Sequence, residues 1–185
     1  MNVNLCDRVS GSLIGGAIGD ALGYPIEFMS LKAIRQKYGD KGYTYYQEFN
    51  NSGKAVISDD TQMTLFTANG LLNYITRVTL TNGCHWQTLV EFVTLAYKDW
   101  LKTQEGVAYY YDFDPFKCWI RDIKELNVRR APGNTCISAL QSLDMWREVQ
   151  NDSKGCGGVM RVAPIGLLAA VDMQSTIKDY YGKEV

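Results

Sequence analysis

The stretch AVISDDTQMTLFTANGLL, residues 55–72, predicts the helix around which the rest of the chain is arranged. A short β-branched run leads to Ser58, Asp59 and Asp60, and a helical pattern begins there at once. Apolar residues then recur at steps of three and four, at Leu65, Ala68, Leu72 and Ile75. This spacing is typical of a helix with one buried face. We therefore expect Ser58 or Asp59 to be the N-cap, whose side-chain oxygen accepts a hydrogen bond from the first turn.

Two interpretations of Asp59 and Asp60 are open at this stage. Acidic side chains in a first turn are favoured by the helix dipole, so the pair is consistent with plain capping. The alternative is a site for a hard cation, because Mg²⁺ is typically held by one or two carboxylates and several waters. Adjacent carboxylates on a helix diverge by about 100°, so they suit two metal ions better than a bidentate grip on one.

The composition indicates one globular domain with enough chain for a hydrophobic core. The 185 residues are 46% hydrophobic and 21% charged. We therefore expect residues 1–185 to form a single domain. The net charge of -1 gives no electrostatic reason to expect a nucleic acid or an anionic membrane as partner.

The cysteines predict a reduced, intracellular protein with buried thiols. They are odd in number and widely spaced, without a C-x-x-C pair, at Cys6, Cys84, Cys118, Cys136 and Cys156. His85 is the only histidine, which argues against a Cys/His zinc site. The apolar run Leu13–Gly19 is too short and too closely flanked by charges for a secretory signal or a membrane span. We expect a cytoplasmic location.

Glycines are frequent in the N-terminal apolar run, at Gly11, Gly15, Gly16 and Gly19. Glycine weakens a helix, so this frequency predicts a buried helix that crosses its neighbours closely. Gly23-Tyr24-Pro25 should end that helix. Glu27 follows between apolar neighbours, and two interpretations of it are open. It is either half-exposed or paired, or it is buried, with a raised pKa that suits acid–base chemistry.

Three further helices are predicted. Ser30 should cap a short helix, Leu31–Tyr38. An amphipathic helix is indicated by an apolar stripe at Trp86, Val90, Val93, Tyr97 and Leu101. Asn134 or Thr135 should cap a third helix that reaches about Val149.

The loop NDSKGCGG, residues 151–158, precedes a further apolar helix. Small residues before a helix can expose successive backbone N–H groups, which bind phosphate oxygens well. An ordinary polar loop explains the same composition. Both interpretations are open on the residues alone.

Four motifs stand in order along the chain: GGAIGDALGYPIEF (15–28), SDDT (58–61), RAPGNT (130–135) and SKGCGGVMR (153–161), the last followed by Ala-Pro-Ile-Gly166. In this order and at these separations the chain resembles the ADP-ribosylglycohydrolase family, from about Val9 to Ala170. The resemblance implies an all-α, compact multi-helix bundle with the site in a cleft. It also implies one helical domain over residues 1–185.

The resemblance implies a metal site and a substrate site. Ser58, Asp59 and Asp60 match residues that ligate a Mg²⁺ or Mn²⁺ pair, with Ser58 standing where the family usually has threonine. Glu27 matches an acid that some members place beside the metals, so Glu27, Asp59 and Asp60 are the implied catalytic residues. The loop that holds the ADP-ribose phosphates and distal ribose is matched by Ser153, Gly155, Cys156 and Gly157, with Gly133 nearby.

The implied activity is metal-dependent hydrolysis that removes ADP-ribose from a modified protein side chain or a related ADP-ribosyl compound. The family's second acidic motif, Asp-x-Asp-Thr/Ser, has no counterpart in these residues, and the fold therefore reads as C-terminally truncated. The alternative is a catalytically inactive module that binds ADP-ribose or a partner. With half of the metal site missing, we expect self-association or a complementing C-terminal segment.

Overall fold

The computed structural model describes residues 4–46, 53–83, 88–106, 118–143 and 152–171. The α-helices span Leu5–Gly23 (α1), Leu31–Tyr38 (α2), Asp59–Leu80 (α3), Leu89–Glu105 (α4) and Asn134–Ser142 (α5). Residues 163–171 are helical as well. Short 3-10 turns cover Tyr24–Ile26, Trp119–Asp122, Lys124–Leu126 and Cys156–Gly158. These ranges contain no β-strand, so the predicted all-α fold is confirmed.

Side-chain caps begin most of the long helices. Ser30 accepts a hydrogen bond from the Ala33 N–H at 3.2 Å, which confirms it as the cap of α2. Thr88 and Glu91 form a capping box at the start of α4. Ser58 caps α3, as described below with the site.

The core lies between α3 and α4. Met63 and Phe66 of α3 pack against Ala96 and Trp100 of α4, and all four side chains are buried. Ile120, Leu126 and Leu140 complete this cluster from the turns and from α5. The packing of α3 on α4 thus fixes the position of the N-terminus of α3.

The predicted buried face of α3 is wrong in part. Leu72 and Ile75 are 51% and 36% exposed, whereas Met63, Phe66 and Leu71 are buried. Polar side chains share the buried face, at Gln62, Thr67 and Asn69. These three side chains can be buried because they form hydrogen bonds with other parts of the fold. The spacing of apolar residues in the sequence therefore does not identify the buried face of α3.

The predicted stripe on α4 is wrong in the same way. Val90 is 70% exposed, while Phe92, Ala96 and Trp100 are buried together with Leu101. Tyr97 is only partly buried, and Trp86 lies outside the described residues. The buried face is rotated from the predicted one because α4 packs on α3 through Phe92 and Ala96.

The expectation that α1 is a buried, closely crossed helix is also wrong within the described residues. A Cβ placed on Gly11, Gly15, Gly16 or Gly19 meets no atom within 4 Å. Ala21 is the one buried residue of α1 in the described part of the chain. The reason is that α1 reaches α3 through its C-terminal turn, and its glycine face borders an open groove of about 830 Å³ instead.

Two smaller predictions need correction. Helix α5 begins at Asn134 after Gly133, with no side-chain cap, and it ends at Ser142 where Leu143 turns to extended backbone. Cys118 is buried, but Cys6 and Cys156 are exposed and Cys136 is half-buried. Cys84 and His85 lie outside the described residues. Across the ranges given above, no helix is both long and apolar enough to cross a membrane.

Gly70 marks a close approach of α3 and α4, and Gly70→Ala tests it. The added Cβ would lie 2.9 Å from Val93 Cα and 3.1 Å from the Phe92 carbonyl oxygen. Backbone atoms cannot give way, so we expect the helices to separate and the free energy of unfolding to fall by about 1–3 kcal/mol. Thermal unfolding followed by circular dichroism measures the effect.

The matched control is Gly15→Ala in α1, where a Cβ has open space. Alanine is favoured over glycine in a helix by about 1 kcal/mol, so this variant should be as stable as the parent or more stable. Equal melting temperatures for the two variants would contradict the close approach at Gly70.

Candidate active site

The N-terminus of α3 is capped by two side chains. The Ser58 hydroxyl oxygen accepts a hydrogen bond from the Asp60 N–H at 3.1 Å, as a side-chain N-cap does. Asp20, from the last turn of α1, accepts hydrogen bonds from the Ser58 N–H at 2.9 Å and the Thr61 N–H at 3.2 Å. The Thr61 hydroxyl donates to the same carboxylate oxygen. Capping therefore accounts for Ser58 and Asp20, and not for Asp59 and Asp60.

Asp59 is held from the opposite side, by the turn before α5. Its carboxylate accepts a hydrogen bond from the Gly133 N–H at 3.2 Å, and its own N–H donates to the Arg130 carbonyl at 2.9 Å. The residue is 7% exposed. Burial raises the pKa of Asp59 to about 6, which the Gly133 hydrogen bond opposes and the Asp60 charge reinforces.

Asp60 and Glu27 complete an acidic cluster with Asp59. Burial, followed by repulsion from Asp20, raises the pKa of Asp60. The pKa of Glu27 is raised by desolvation and then by the charges of Asp60 and Asp20. The Glu27 side chain is exposed, which agrees with the first of its two interpretations. Its pKa is nevertheless raised. Within the described residues no hydrogen-bond donor contacts the Asp60 carboxylate.

These acids line a cleft of about 570 Å³. Among the residues predicted for the site, those that line this cleft are Glu27, Asp59, Asp60, Gly133, Ser153, Gly155, Cys156 and Gly157. Ser58 is the exception, because it is 3% exposed and borders the neighbouring groove, which Asp60 and Glu27 also line. The fold thus brings together residues that are more than a hundred positions apart.

The glycine-rich loop forms the other wall of the cleft. The Ser153 hydroxyl oxygen accepts hydrogen bonds from the Gly155 N–H at 3.2 Å and from the Thr135 hydroxyl at 3.1 Å. A Cβ on Gly157 would lie 2.9 Å from Cys136 Sγ, so the loop backbone rests directly on α5. The Met160 carbonyl accepts a hydrogen bond from Thr64, which ties the end of the loop to α3.

The donor set at the acidic end fits a hard divalent cation. Carboxylate and hydroxyl oxygens are the ligands that Mg²⁺ and Mn²⁺ prefer. The carboxylates are desolvated and lie near one another's charge, which raises their pKa values, and a cation would relieve that repulsion. Within the part of the chain described, however, no three His, Cys, Asp or Glu side chains converge closely enough to hold a metal ion by themselves.

The sequence model of the ADP-ribosylglycohydrolase family matches residues 1–180. The chain belongs to the ADP-ribosylglycohydrolase family. Its curated relatives include an uncharacterized protein of Archaeoglobus fulgidus, 27% identical over 168 residues, and the uncharacterized protein YegU of Escherichia coli, 26% identical over 179 residues. No solved structure matches the chain significantly.

This ADP-ribosylglycohydrolase-family chain spans less than half the length of those relatives. The two alignments cover 88% and 94% of the chain but 43% and 46% of the relatives. The structure therefore describes the candidate site only as far as the residues of this chain form it.

Sequence reasoning gave Asp20 no role, although the residue lies inside a motif that carries the family resemblance. One signal was available. Asp20 lies in the last turn of α1, where the negative end of the helix dipole disfavours an acid. An acid at such a position indicates a partner on another element, and here that partner is the N-terminus of α3.

The raised pKa of Asp59 predicts how stability depends on pH. The folded-state value is about 6 against an ordinary value of 3.8, so the folded protein holds this proton more tightly than the unfolded chain does. The ionised Asp59 carboxylate therefore destabilises the folded protein fully above its folded-state pKa of about 6. This destabilisation disappears below the unfolded-state pKa of 3.8, where Asp59 is protonated in both states. In EDTA, Asp59→Asn should gain on the order of 2 kcal/mol at pH 8, or roughly 4–8 °C in Tm, and almost nothing near pH 4.

Thermal unfolding at the two pH values measures this difference. Asn keeps an acceptor for the Gly133 N–H, so the comparison isolates the charge. Asp7→Asn, at an exposed acid in the first turn of α1, is the control and should show no gain at pH 8. An equal change for Asp59→Asn at both pH values would mean that the carboxylate is not destabilised by its surroundings.

Proposed function

We propose that this chain contributes one half of the active site of a metal-dependent hydrolase that removes ADP-ribose from a modified protein side chain or a related ADP-ribosyl compound. One observation carries the proposal. The acidic cluster of Glu27, Asp59 and Asp60 and the glycine-rich loop line the same cleft. Its volume of about 570 Å³ falls within the range of small-molecule sites.

At the loop end, the residues suit a diphosphate. Gly155 and Gly157 carry no side chain that would keep phosphate oxygens away from the loop backbone. The Gly155 N–H donates to Ser153, so a phosphate would be bound by other N–H groups of the loop or would replace that hydrogen bond. Ser153 keeps the loop in place through its two hydrogen bonds. Gly133 lies between the loop and the acids and anchors Asp59.

At the acidic end, Asp59 and Asp60 would hold Mg²⁺ or Mn²⁺, with Ser58 as a further oxygen ligand. When bound, such ions hold ribose hydroxyls and lower the pKa of a coordinated water towards neutrality. Glu27, with its raised pKa, is suited to accept a proton from the attacking water or to return one to the leaving group. Cleavage of the glycosidic bond passes through a cation-like ribose, which the surrounding carboxylates favour electrostatically.

Calorimetric titration of Mg²⁺ and then of ADP-ribose tests the metal assignment. Asp59→Asn and Asp60→Asn should each weaken Mg²⁺ binding by about tenfold or more, equivalent to roughly 1.4 kcal/mol, because each removes a charged ligand. The fold should survive, since Ser58 and Asp20 supply the caps. Asp7→Asn is again the control and should bind Mg²⁺ like the parent.

Unchanged Mg²⁺ affinity in both variants would mean that neither carboxylate is a metal ligand. ADP-ribose binding without any Mg²⁺ binding would instead indicate the inactive binding module. Calorimetry therefore distinguishes a metal-dependent hydrolase from an inactive module that binds ADP-ribose.

The position of the loop can be tested through its contact with α5. Gly157→Ala should weaken ADP-ribose binding by about tenfold, because the new Cβ meets Cys136 Sγ at 2.9 Å and either the sulfur or the loop has to shift. Adding Cys136→Ala removes the obstructing sulfur and should restore binding. Gly158→Ala, where a Cβ meets nothing within 4 Å, is the matched control. Parent-like binding by Gly157→Ala would contradict the assignment of the loop to the ligand.

A further inference from the structure

The turn of residues 128–133 sets the position of Asp59, and it is strained. It gives Asp59 a carbonyl acceptor from Arg130 and an N–H donor from Gly133. Between them Ala131 has a φ of 50°, a left-handed conformation that costs a non-glycine residue roughly 1–2 kcal/mol. Such a conformation persists only where the surroundings hold it.

A buried pair of glutamine side chains holds this turn. The Gln104 side-chain oxygen accepts a hydrogen bond from the Arg130 N–H at 3.3 Å, and its amide nitrogen donates to the Gln62 side-chain oxygen at 3.0 Å. Gln62 in turn donates to the carbonyls of Val128 at 3.0 Å and Leu126 at 3.2 Å. Gln62 is fully buried and Gln104 is 4% exposed.

The indole of Trp100 fixes the direction of these hydrogen bonds. Its Nε1–H can only donate, and it donates to the Gln62 side-chain oxygen at 3.3 Å. The Gln62 nitrogen must then face the two carbonyls. Gln104 must present its own nitrogen to Gln62 and its oxygen to Arg130. The indole donor, the two carbonyls and the Arg130 N–H are thus compatible with only one orientation of each amide.

We propose that Gln104 is a positioning residue for Asp59, acting through the Arg130–Gly133 turn. The proposal rests on the function proposed above, in which Asp59 is a metal ligand. Asp59 N–H is a first-turn amide without a backbone acceptor in its own helix, and its backbone acceptor is the Arg130 carbonyl at 2.9 Å, so its protection from exchange depends on that contact. Hydrogen exchange at this amide therefore reports the position of the turn without any metal.

The test compares Gln104→Met with Asn69→Leu. Asn69 is a matched control, because it is a buried amide on α3 that accepts a backbone N–H, from Ile120, away from the cleft. Both variants leave one backbone N–H unpaired. In Gln104→Met, we expect the Asp59 amide hydrogen to exchange about tenfold faster than in the parent protein. We expect this variant to bind Mg²⁺ about 10–100-fold more weakly than the parent. Asn69→Leu, with a similar fall in Tm, should stay within about twofold of the parent in both measurements.

Gln104→Glu keeps the proposal testable if the methionine variant does not fold. A buried glutamic acid remains protonated, so at pH 6 its O–H can donate to Gln62 and its carbonyl can accept from Arg130. This variant should retain both the protection of Asp59 and the affinity for Mg²⁺. Loss of either at pH 6, or equal changes in Gln104→Met and Asn69→Leu, would overturn the proposal. A parent protein that binds no Mg²⁺ would refute the proposed function instead, and the exchange data would still decide the role of Gln104.

Discussion

Asp20 closes the N-terminus of α3 from a different helix, and the acidic end of the cleft depends on that contact. Helix N-termini leave backbone N–H groups without partners, and nearby carboxylates usually turn inward to accept from them. Here Asp20 and Ser58 take those donors. The carboxylates of Asp59 and Asp60 are consequently released from capping and face the cleft. The same contact joins α1 to α3 and brings Glu27, a few residues further along, beside the pair.

Placing these acids together opposes folding. Desolvation and repulsion between neighbouring carboxylates raise the pKa values of Glu27, Asp59 and Asp60, which means that their ionised forms are destabilised in the folded protein. The conformation of Ala131 adds backbone strain in the adjoining turn. The α3–α4 core and the buried glutamine network offset these costs. Such a concentration of strain and charge is typical of binding and catalytic sites, where function conflicts with local stability.

The cleft combines two kinds of chemistry. Carboxylates and a glycine-rich loop line the same space. The ligand proposed above, ADP-ribose, carries both vicinal hydroxyls and a diphosphate, which is why it is the proposal for a member of the ADP-ribosylglycohydrolase family.

The sequence by itself determined the helices and the Ser30 cap, and it left Ser58 and Asp59 as alternatives for the cap of α3, which is Ser58. These features are local, because side-chain capping and backbone propensity act over a few residues. The residues that line the cleft were instead implied by the resemblance to the family. Which faces are buried was decided by tertiary structure. Leu72 and Val90 fit an apolar pattern yet are exposed, because α3 and α4 meet where Gly70 lets their backbones approach. The roles of Asp20 and Gln104 likewise exist only in the folded chain, since their partners lie 38 and 26 residues away and no local pattern encodes such pairings.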